Sequence, residues 1–298
     1  MKSGYPIPVL GIGTWRMTGK QCYESVRKAL EIGYRHIDTA ELYANEEEIG
    51  KAIRGFDRSE LFITTKVWKT NYSRNEMIKA CENSLKKLGT SYVDLYLLHW
   101  PNDNFSIEET MKNLAELADR GMVRSIGLSN FSAEETKEAM AVSSKPVCNN
   151  QIEFHPHLYQ KDILELCEKE GIVLTAYCPV ARGEVLTDET LMEISKKYNK
   201  TPAQVSLRWI VQHGAVVIPK STKEDHLREN MDIFDWKLSQ KDMKRIDEIK
   251  IFRRQVNPIF TNIPFFIVKA AAKIMRKNYS TIISNKKQNT LKIQPKQK

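Results

Sequence analysis

The sequence predicts a single TIM-type (β/α)8 barrel followed by a basic C-terminal extension, in a chain of 298 residues. Short apolar runs alternate with longer amphipathic stretches in one uninterrupted series, which is typical of parallel strands joined by crossover helices. A doubly wound open sheet is the competing layout, and it predicts a GxGxxG turn after the first strand. The stretch Gly11-Ile-Gly-Thr-Trp-Arg16 lacks the third glycine and no helix follows at once, so the barrel is favoured.

The predicted elements succeed one another in the order that such a barrel requires. Strands are expected over residues 9–12, 36–38, 61–65, 93–98, 123–128, 147–152, 172–176 and 216–218. Helices are expected over residues 22–32, 46–54, 74–88, 107–120, 133–142, 160–170, 189–197 with 203–211, and 223–230. Ser132 precedes one helical pattern as an N-cap, and Gly89, Gly121 and Gly171 follow others as stop signals.

Composition excludes several classes of protein. A hydrophobic content of 41% with 28% charged residues is ordinary for a globular chain. No apolar run reaches the ~18 residues of a membrane-spanning helix, and the first residues lack the apolar core of a signal peptide. The cysteines show no CxxC spacing, so neither a metal site nor a disulfide framework is expected from Cys22, Cys81, Cys148, Cys167 and Cys178. We therefore predict reduced cysteines and a cytoplasmic protein.

The net positive charge belongs to the end of the chain. Lys and Arg total 46 against 37 acidic residues, and the excess lies after Pro258, where no acidic residue occurs. We therefore predict a neutral barrel over residues 1–258 and a basic tail over residues 259–298, with no nucleic-acid groove. Three interpretations of the tail stay open: a helix docked on the barrel, a disordered end, or a basic amphipathic helix. In the third, residues 264–298 would contact an anionic membrane surface or an acidic partner.

Ionisable side chains fall at the predicted C-terminal strand ends, where barrel enzymes carry their chemistry: Asp38, Tyr43, Lys66 and His99. A lysine beside Tyr43 would lower the pKa of the phenol, and a carboxylate would fix that lysine. Tyr43 would then act as general acid toward a carbonyl oxygen, which His99 would orient. No side chain supplies a hydride, so a nicotinamide cofactor is implied. Each residue alone has an ordinary structural interpretation; their convergence on successive strands favours catalysis.

Three tryptophans are predicted to line an apolar, water-poor pocket beside these groups: Trp15, Trp68 and Trp100. Each follows a predicted strand, and core packing is the alternative for each. His155 and His157 have no metal-ligand spacing, and a surface or supporting role is expected for them.

The chain resembles the aldo-keto reductase family over roughly residues 4–258. The matching motifs are Leu10-Gly-Ile-Gly-Thr-Trp15, Asp38-Thr-Ala-x-x-Tyr43, Thr65-Lys-Val-Trp68, Leu97-Leu-His-Trp-Pro101, Ile126-Gly-Leu-Ser-Asn-Phe131, Gln151-Ile-Glu-Phe-His-Pro156, Ile218-Pro-Lys-Ser221 and Glu229-Asn230. The resemblance implies a (β/α)8 barrel without a Rossmann domain that binds NAD(P)(H) in extended form and reduces aldehydes or ketones. By position, Asp38, Tyr43, Lys66 and His99 match the family's catalytic tetrad.

The resemblance also implies the cofactor contacts. Thr14 is assigned to the cofactor site; Ser129, Asn130 and Gln151 match the groups that hold the carboxamide; and Tyr177 matches the stacking aromatic. Lys220 and Ser221 match the contacts to the 2′-phosphate, and Glu229 and Asn230 those to adenine. His226 stands where the family usually has arginine, which predicts a narrowed preference for NADPH over NADH. The family's N-terminal hairpin is cut short here, which leaves the stability of the barrel floor open.

Two functions from different classes remain at this stage. The first is an NADPH-preferring, monomeric reductase of a small carbonyl compound whose identity the sequence does not determine. The second is a regulatory subunit that binds the cofactor in the same barrel and uses it as a sensor. The complete tetrad favours the enzyme.

Overall fold

The computed structural model describes residues 1–256. Eight parallel strands pair in chain order, each with the next. They are β1 (Gly11–Gly13), β2 (His36–Asp38), β3 (Phe62–Val67), β4 (Leu95–Leu98), β5 (Ile126–Ser129), β6 (Val147–Glu153), β7 (Val173–Tyr177) and β8 (Val216–Val217). A parallel bridge between Leu10 and Val217 joins the start of β1 to β8. The predicted barrel is therefore confirmed.

The helices lie between and after these strands. They are α1 (Gly19–Ile32), α2 (Glu46–Ala52), α3 (Arg74–Leu88), α4 (Ile107–Asp119), α5 (Ala133–Val142), α6 (Lys161–Glu170), α7 (Glu189–Tyr198), α8 (Pro202–Gln212), α9 (Glu224–Met231) and α10 (Gln240–Asp247). The sequence did not predict α10, whose only buried residues are Asp242 and Ile246. Its start is nevertheless encoded, because the Ser239 hydroxyl accepts a hydrogen bond from the Asp242 amide as an N-cap.

Local sequence signals set the helix ends that the pattern predicted. Ser132 and Glu135 form a reciprocal capping box at the start of α5, and Thr201 and Gln204 form another at the start of α8. Gly89 ends α3 with a φ of 67°, a left-handed conformation that glycine adopts without steric cost. These caps satisfy backbone groups that the helices leave unpaired, and so they fix where each crossover turns back toward the sheet.

The strand register places the polar side chains at one edge of the barrel. Asp38 pairs with Gly13 on one side and Thr64 on the other, while Ser129 pairs with Gln151 and Glu153 with Tyr177. A Cβ on Gly13 would lie 2.6 Å from the Ile218 carbonyl oxygen, so glycine allows β1 to approach the strand-end segment after β8. The C-terminal edge is thereby drawn into a compact ring of side chains.

The opposite edge of the barrel has its own apolar floor. Phe62, Leu95 and Leu97 form a buried cluster against which Met1 and Ile7 pack. The short N-terminal segment therefore covers part of the floor that the sequence left open. No helix within residues 1–256 is long and apolar enough to cross a membrane. The interpretations of the tail concern residues that lie outside the described part of the chain, and the proposed boundary at residue 258 stays a prediction.

Candidate active site

A buried ion pair lies at the centre of the C-terminal edge. The Lys66 ammonium lies 2.6 Å from the Asp38 carboxylate and donates a second hydrogen bond, of 2.8 Å, to the Thr39 carbonyl oxygen. Both charged side chains are almost fully buried. Burial lowers the pKa of Lys66, while the charge and hydrogen bond of Asp38 raise it. The remaining carboxylate oxygen of Asp38 accepts a hydrogen bond of 2.6 Å from Gln151.

Tyr43 lies directly above this pair. A short 3₁₀ helix, Glu41–Tyr43, carries it out of β2, and its ring centroid is 5.2 Å from the Lys66 nitrogen. The sequence predicted that Lys66 would lower the pKa of Tyr43, but burial and the Asp38 carboxylate raise it well above its ordinary value. The reason is that Asp38 neutralises Lys66, so the pair offers little net charge to a desolvated phenolate. Tyr43 is therefore protonated at neutral pH.

His99 faces the same space from the end of β4. Its ring lies 5.7 Å from that of Tyr43 and 5.2 Å from that of Trp68, both edge to face. Burial, and then the charge of Lys66, hold the pKa of His99 well below its ordinary value, so the imidazole is neutral. Nδ1 is buried without a hydrogen-bond partner among the described residues. A hydrogen on Nε2 would make this ring a neutral donor for a carbonyl oxygen.

A chain of hydrogen bonds joins the predicted carboxamide contacts to the ion pair. The Tyr177 hydroxyl donates to the Asn130 side-chain oxygen at 2.7 Å, and Asn130 donates to the Ser129 hydroxyl and to the His99 carbonyl oxygen. Ser129 donates in turn to the Gln151 carbonyl oxygen at 2.9 Å. Because Gln151 also binds Asp38, one continuous network joins Tyr177 to the Asp38–Lys66 pair. The Tyr177 side chain keeps a partly exposed surface.

Thr14 and a residue that the sequence reading missed hold the first loop in place. The Thr14 hydroxyl donates to the Asp38 carbonyl oxygen at 2.9 Å. The Asn45 amide, fully buried, donates to the carbonyl oxygens of Thr14 and Met17 at 2.9 and 3.0 Å, and its oxygen accepts from Thr39. An asparagine two residues after Tyr43 was a signal available in the sequence. Its role is structural support of the site.

The three tryptophans predicted to line the pocket differ in their exposure. Trp15 is 40% exposed, and its ring lies 4.7 Å from that of Tyr43. Trp68 is 3% exposed and packs against His99, so it supports the pocket from behind. Trp100 is partly exposed, and its carbonyl oxygen accepts a hydrogen bond of 2.6 Å from Tyr72.

The predicted contacts for the far end of the cofactor gather after β8. Lys220 and His226 are exposed, and the Ser221 hydroxyl accepts a hydrogen bond from the Lys223 amide at 3.1 Å. Glu229 is already engaged by the Thr201 hydroxyl, and Asn230 contacts the Tyr34 hydroxyl. Lys220 and His226 are therefore accessible, whereas Ser221 is buried and Glu229 and Asn230 have structural partners.

Two arginines that the sequence reading did not assign complete this region. Burial and the neighbouring Arg16 charge lower the pKa of Lys220, so these cations lie close together. Within residues 1–256, neither Lys220 nor Arg16 forms an ion pair with an acidic side chain. Arg182 and Arg16 also lie close to Cys178, although burial and the Glu153 charge raise the pKa of that thiol to about 11. Cations without an acidic partner suit the phosphates of a dinucleotide, and the partly exposed Tyr177 ring with the nearby side-chain amides suits its nicotinamide.

Glu41, in the loop between Asp38 and Tyr43, was also missed. One carboxylate oxygen accepts hydrogen bonds from the Trp68 amide and, at 3.0 Å, from Asn71. Burial is the main cause that raises the pKa of Glu41 to about 7. This side chain therefore ties the loop after β2 to the loop after β3. A carboxylate within the Asp38–Tyr43 loop was the signal that could have drawn attention to it.

Glu41→Gln is expected to remove a pH-dependent loss of stability. The Glu41 carboxyl group ionises near pH 4.5 in the unfolded chain and near pH 7 in the folded protein. The contribution of protonated Glu41 to the free energy of unfolding is thus fully present below pH 4.5. It is lost as the pH rises toward 7, by at most ~3 kcal/mol. Denaturant unfolding at pH 5 and pH 8 should show this loss in the wild type and a smaller loss in the variant.

Glu47→Gln is the matched control. Glu47 lies close to Glu41 in the sequence but is exposed, and it pairs with Lys51 at 2.9 Å. It should keep the wild-type pH dependence. Equal pH dependence in wild type and Glu41→Gln would contradict the argument.

No group of three metal-ligating side chains occurs within the described residues, and the five cysteines there are free. The site is therefore built from an acid, a lysine, a phenol, an imidazole and amides. These groups can transfer and place protons but cannot themselves exchange a hydride.

Comparison with known proteins identifies the same family that the sequence motifs indicated. The sequence profile of the Aldo/keto reductase family matches residues 9–251. Glyoxal reductase of Bacillus subtilis (strain 168) is 43% identical over 252 residues, covering 84% of this chain and 91% of that protein. Methylglyoxal reductase DkgB of Escherichia coli O157:H7 is 42% identical over 257 residues, covering 85% and 96%.

A solved structure extends the likeness to three dimensions. The aldose reductase of Schistosoma japonicum superposes with a TM-score of 0.82 at 36% identity, covering 86% of this chain and 93% of that one. The profile spans most of the chain, and the relatives are matched over nearly their whole length. The chain therefore belongs to the aldo/keto reductase family and is an NAD(P)H-dependent oxidoreductase that acts on carbonyl compounds.

Proposed function

We propose that this protein is an NADPH-preferring reductase in which Tyr43 protonates the carbonyl oxygen of the substrate. The observation that carries the proposal is the convergence of Tyr43 with the buried Asp38–Lys66 pair and neutral His99. The bound cofactor would supply the hydride from its nicotinamide ring. A raised phenol pKa is compatible with this direction of reaction, because a general acid must carry its proton at working pH.

The other residues of the site would divide the remaining tasks. Lys66 would stabilise negative charge developing on the Tyr43 oxygen as its proton leaves, and Asp38 keeps that lysine charged and in place. Neutral His99 would orient the carbonyl oxygen by a hydrogen bond. Asn130 and Gln151 would hold the carboxamide against Tyr177, while Lys220, with Arg16 nearby, would bind phosphate oxygens.

The substrate class that we propose is small 2-oxoaldehydes. Two relatives that this chain matches over more than nine-tenths of their length are named glyoxal reductase and methylglyoxal reductase. The partly exposed Trp15 ring beside Tyr43 leaves the acid accessible at the mouth of the barrel. The free cysteines suit a reducing compartment such as the cytoplasm. We propose a monomer acting there, which size-exclusion chromatography and fractionation can test.

The direct test measures loss of NADPH absorbance at 340 nm with glyoxal, methylglyoxal, a simple aldehyde, a ketoacid and an aldose. We expect turnover that requires the carbonyl compound and is fastest with the 2-oxoaldehydes. Absence of turnover with every carbonyl compound would refute the proposed reductase and favour the cofactor sensor. No observation within residues 1–256 supports the sensor. Fast turnover of the aldose alone would refute only the substrate class.

The cofactor preference follows from Lys220 and His226. We expect a higher kcat/KM with NADPH than with NADH, but with a narrow margin, because His226 lacks the permanent, forked charge of arginine. His226→Arg should widen the margin by about tenfold or more through the KM for NADPH, since one charged hydrogen bond contributes roughly 1.5–3 kcal/mol. Equal or better kcat/KM with NADH in the wild type would contradict the preference.

Asp225→Asn is the matched control for that substitution. It also shifts the charge of the same exposed helix by one positive unit, at the neighbouring position. If both variants widened the margin equally, a general charge effect rather than a contact at position 226 would be indicated.

A further inference from the structure

Glu153 is a buried carboxylate that no step of the proposed reaction uses. It is the last residue of β6 and is 1% exposed. One oxygen accepts hydrogen bonds from His155 Nε2 at 3.0 Å and from the Gln255 amide at 2.5 Å, and the other accepts from the Val256 amide at 3.0 Å. A buried carboxylate needs such donors, because its desolvation is otherwise very costly. Here two of the three are consecutive backbone groups of the C-terminal segment.

The same segment, residues 253–256, is tied down at further points. The Arg253 amide donates to the His157 carbonyl oxygen at 2.9 Å, and the Arg254 side chain donates to Gln160 at 3.1 Å. Gln160 in turn donates to the carbonyl oxygen of Glu153 at 2.7 Å. The segment is therefore fastened to the residues that follow β6, with the Glu153 carboxylate as its buried attachment.

A second set of contacts joins this segment to the loop after β7. Arg253 forms an ion pair of 3.3 Å with Glu184, which lies in the 3₁₀ segment Ala181–Thr187. His157 is hydrogen-bonded at 3.0 Å to Asp188, the residue that follows that segment. Residues 253–256 thus bridge the chain after β6 and the chain after β7.

The bridge lies beside the proposed nicotinamide site. Glu153 pairs in register with Tyr177, and its charge helps to raise the pKa of both Tyr177 and Cys178. Arg182, which lies near Cys178, belongs to the same loop as Glu184. The loop that would contact the cofactor is therefore held by a segment that Glu153 anchors.

We propose that Glu153 is a positioning residue that fixes residues 253–256 and, through them, the loop after β7 in its cofactor-binding geometry. This inference rests on the proposed cofactor site. Release of the anchor weakens binding of NADPH and leaves the chemical step largely intact, because Lys66 is held by Asp38 and the Tyr43 ring packs against Trp15 and His99.

Glu153→Gln tests the proposal in the full-length protein. The amide has nearly the same shape, but its one oxygen cannot accept all three hydrogen bonds, and its NH₂ group would face a backbone donor. We expect amide hydrogen exchange at Gln255 and Val256 to accelerate about tenfold or more. The Kd for NADPH, from quenching of tryptophan fluorescence, should rise about tenfold, with kcat within about twofold of wild type.

Two further variants make the result decisive. Gln160→Ala removes the half-buried link between Arg254 and the Glu153 carbonyl oxygen without changing the carboxylate. It should shift both readouts in the same direction by a smaller factor, and it replaces Glu153→Gln if that variant does not fold. Glu193→Gln, which breaks an exposed pair with Arg245 elsewhere on the barrel, should leave both readouts unchanged.

The outcomes separate this inference from the function on which it rests. Wild type that fails to bind NADPH would overturn both. Wild type that binds NADPH, with a Glu153→Gln variant of unchanged Kd, overturns the positioning role alone, whether or not exchange accelerates. A fall in kcat with unchanged Kd would also overturn it, because the anchor would then act on the chemical step.

Discussion

Tyr43→Phe is expected to lower kcat for carbonyl reduction about 10³-fold, the scale on which a positioned general acid contributes. Only the hydroxyl is lost, so the ring keeps its contacts with Trp15 and His99, at centroid distances of 4.7 and 5.7 Å. The Kd for NADPH should therefore change by less than about threefold. Single-turnover reduction of methylglyoxal, with NADPH binding measured separately, checks both expectations.

Tyr159→Phe is the control, since it removes a phenol that packs against Trp209 and His213 away from the Asp38–Lys66 pair. It should retain wild-type kcat. Full activity in Tyr43→Phe would refute the assignment of the proton donor. Since the pKa of Tyr43 is raised, reduction should persist through neutral pH and be lost only when alkaline solution removes the proton.

Lys66→Met is expected to combine loss of activity with a large loss of stability. The substitution leaves the Asp38 carboxylate buried with Gln151 as its remaining side-chain donor. Removing one partner of a buried ion pair costs about 3–5 kcal/mol, because the remaining charge is desolvated without compensation. Denaturant unfolding of wild type and variant measures this difference directly.

The double variant Asp38→Asn/Lys66→Met separates the structural from the chemical part of that effect. Without either charge, most of the lost stability should return, to within about 1–2 kcal/mol of wild type. Activity should not return, because no ammonium would remain to stabilise charge on Tyr43. Lys51→Met, which breaks an exposed pair with Glu47, should change neither property measurably. A stable, active Lys66→Met protein would contradict the role given to the pair.

The barrel, and the convergence of side chains at its C-terminal edge, could be predicted because both depend on short-range sequence patterns. Each strand ends within two residues of its predicted apolar run, and parallel strands end at the same edge, so Asp38, Lys66 and His99 converge there. Capping residues such as Ser132 and Gly89 likewise act within one turn of the chain. The helix α10 escaped prediction because it is short and carries only two apolar residues, Met243 and Ile246, too few for a periodic pattern to stand out.

The electrostatic state of the site and its supports were decided only by the tertiary structure. The sequence placed Lys66 near Tyr43 and predicted a lowered pKa, but the direction depends on burial and on the 2.6 Å contact with Asp38. The attachment of residues 253–256 to Glu153 joins positions about one hundred residues apart, which no local pattern encodes. Desolvation and through-space charge depend on what surrounds a group in three dimensions, and sequence order alone does not specify that surrounding.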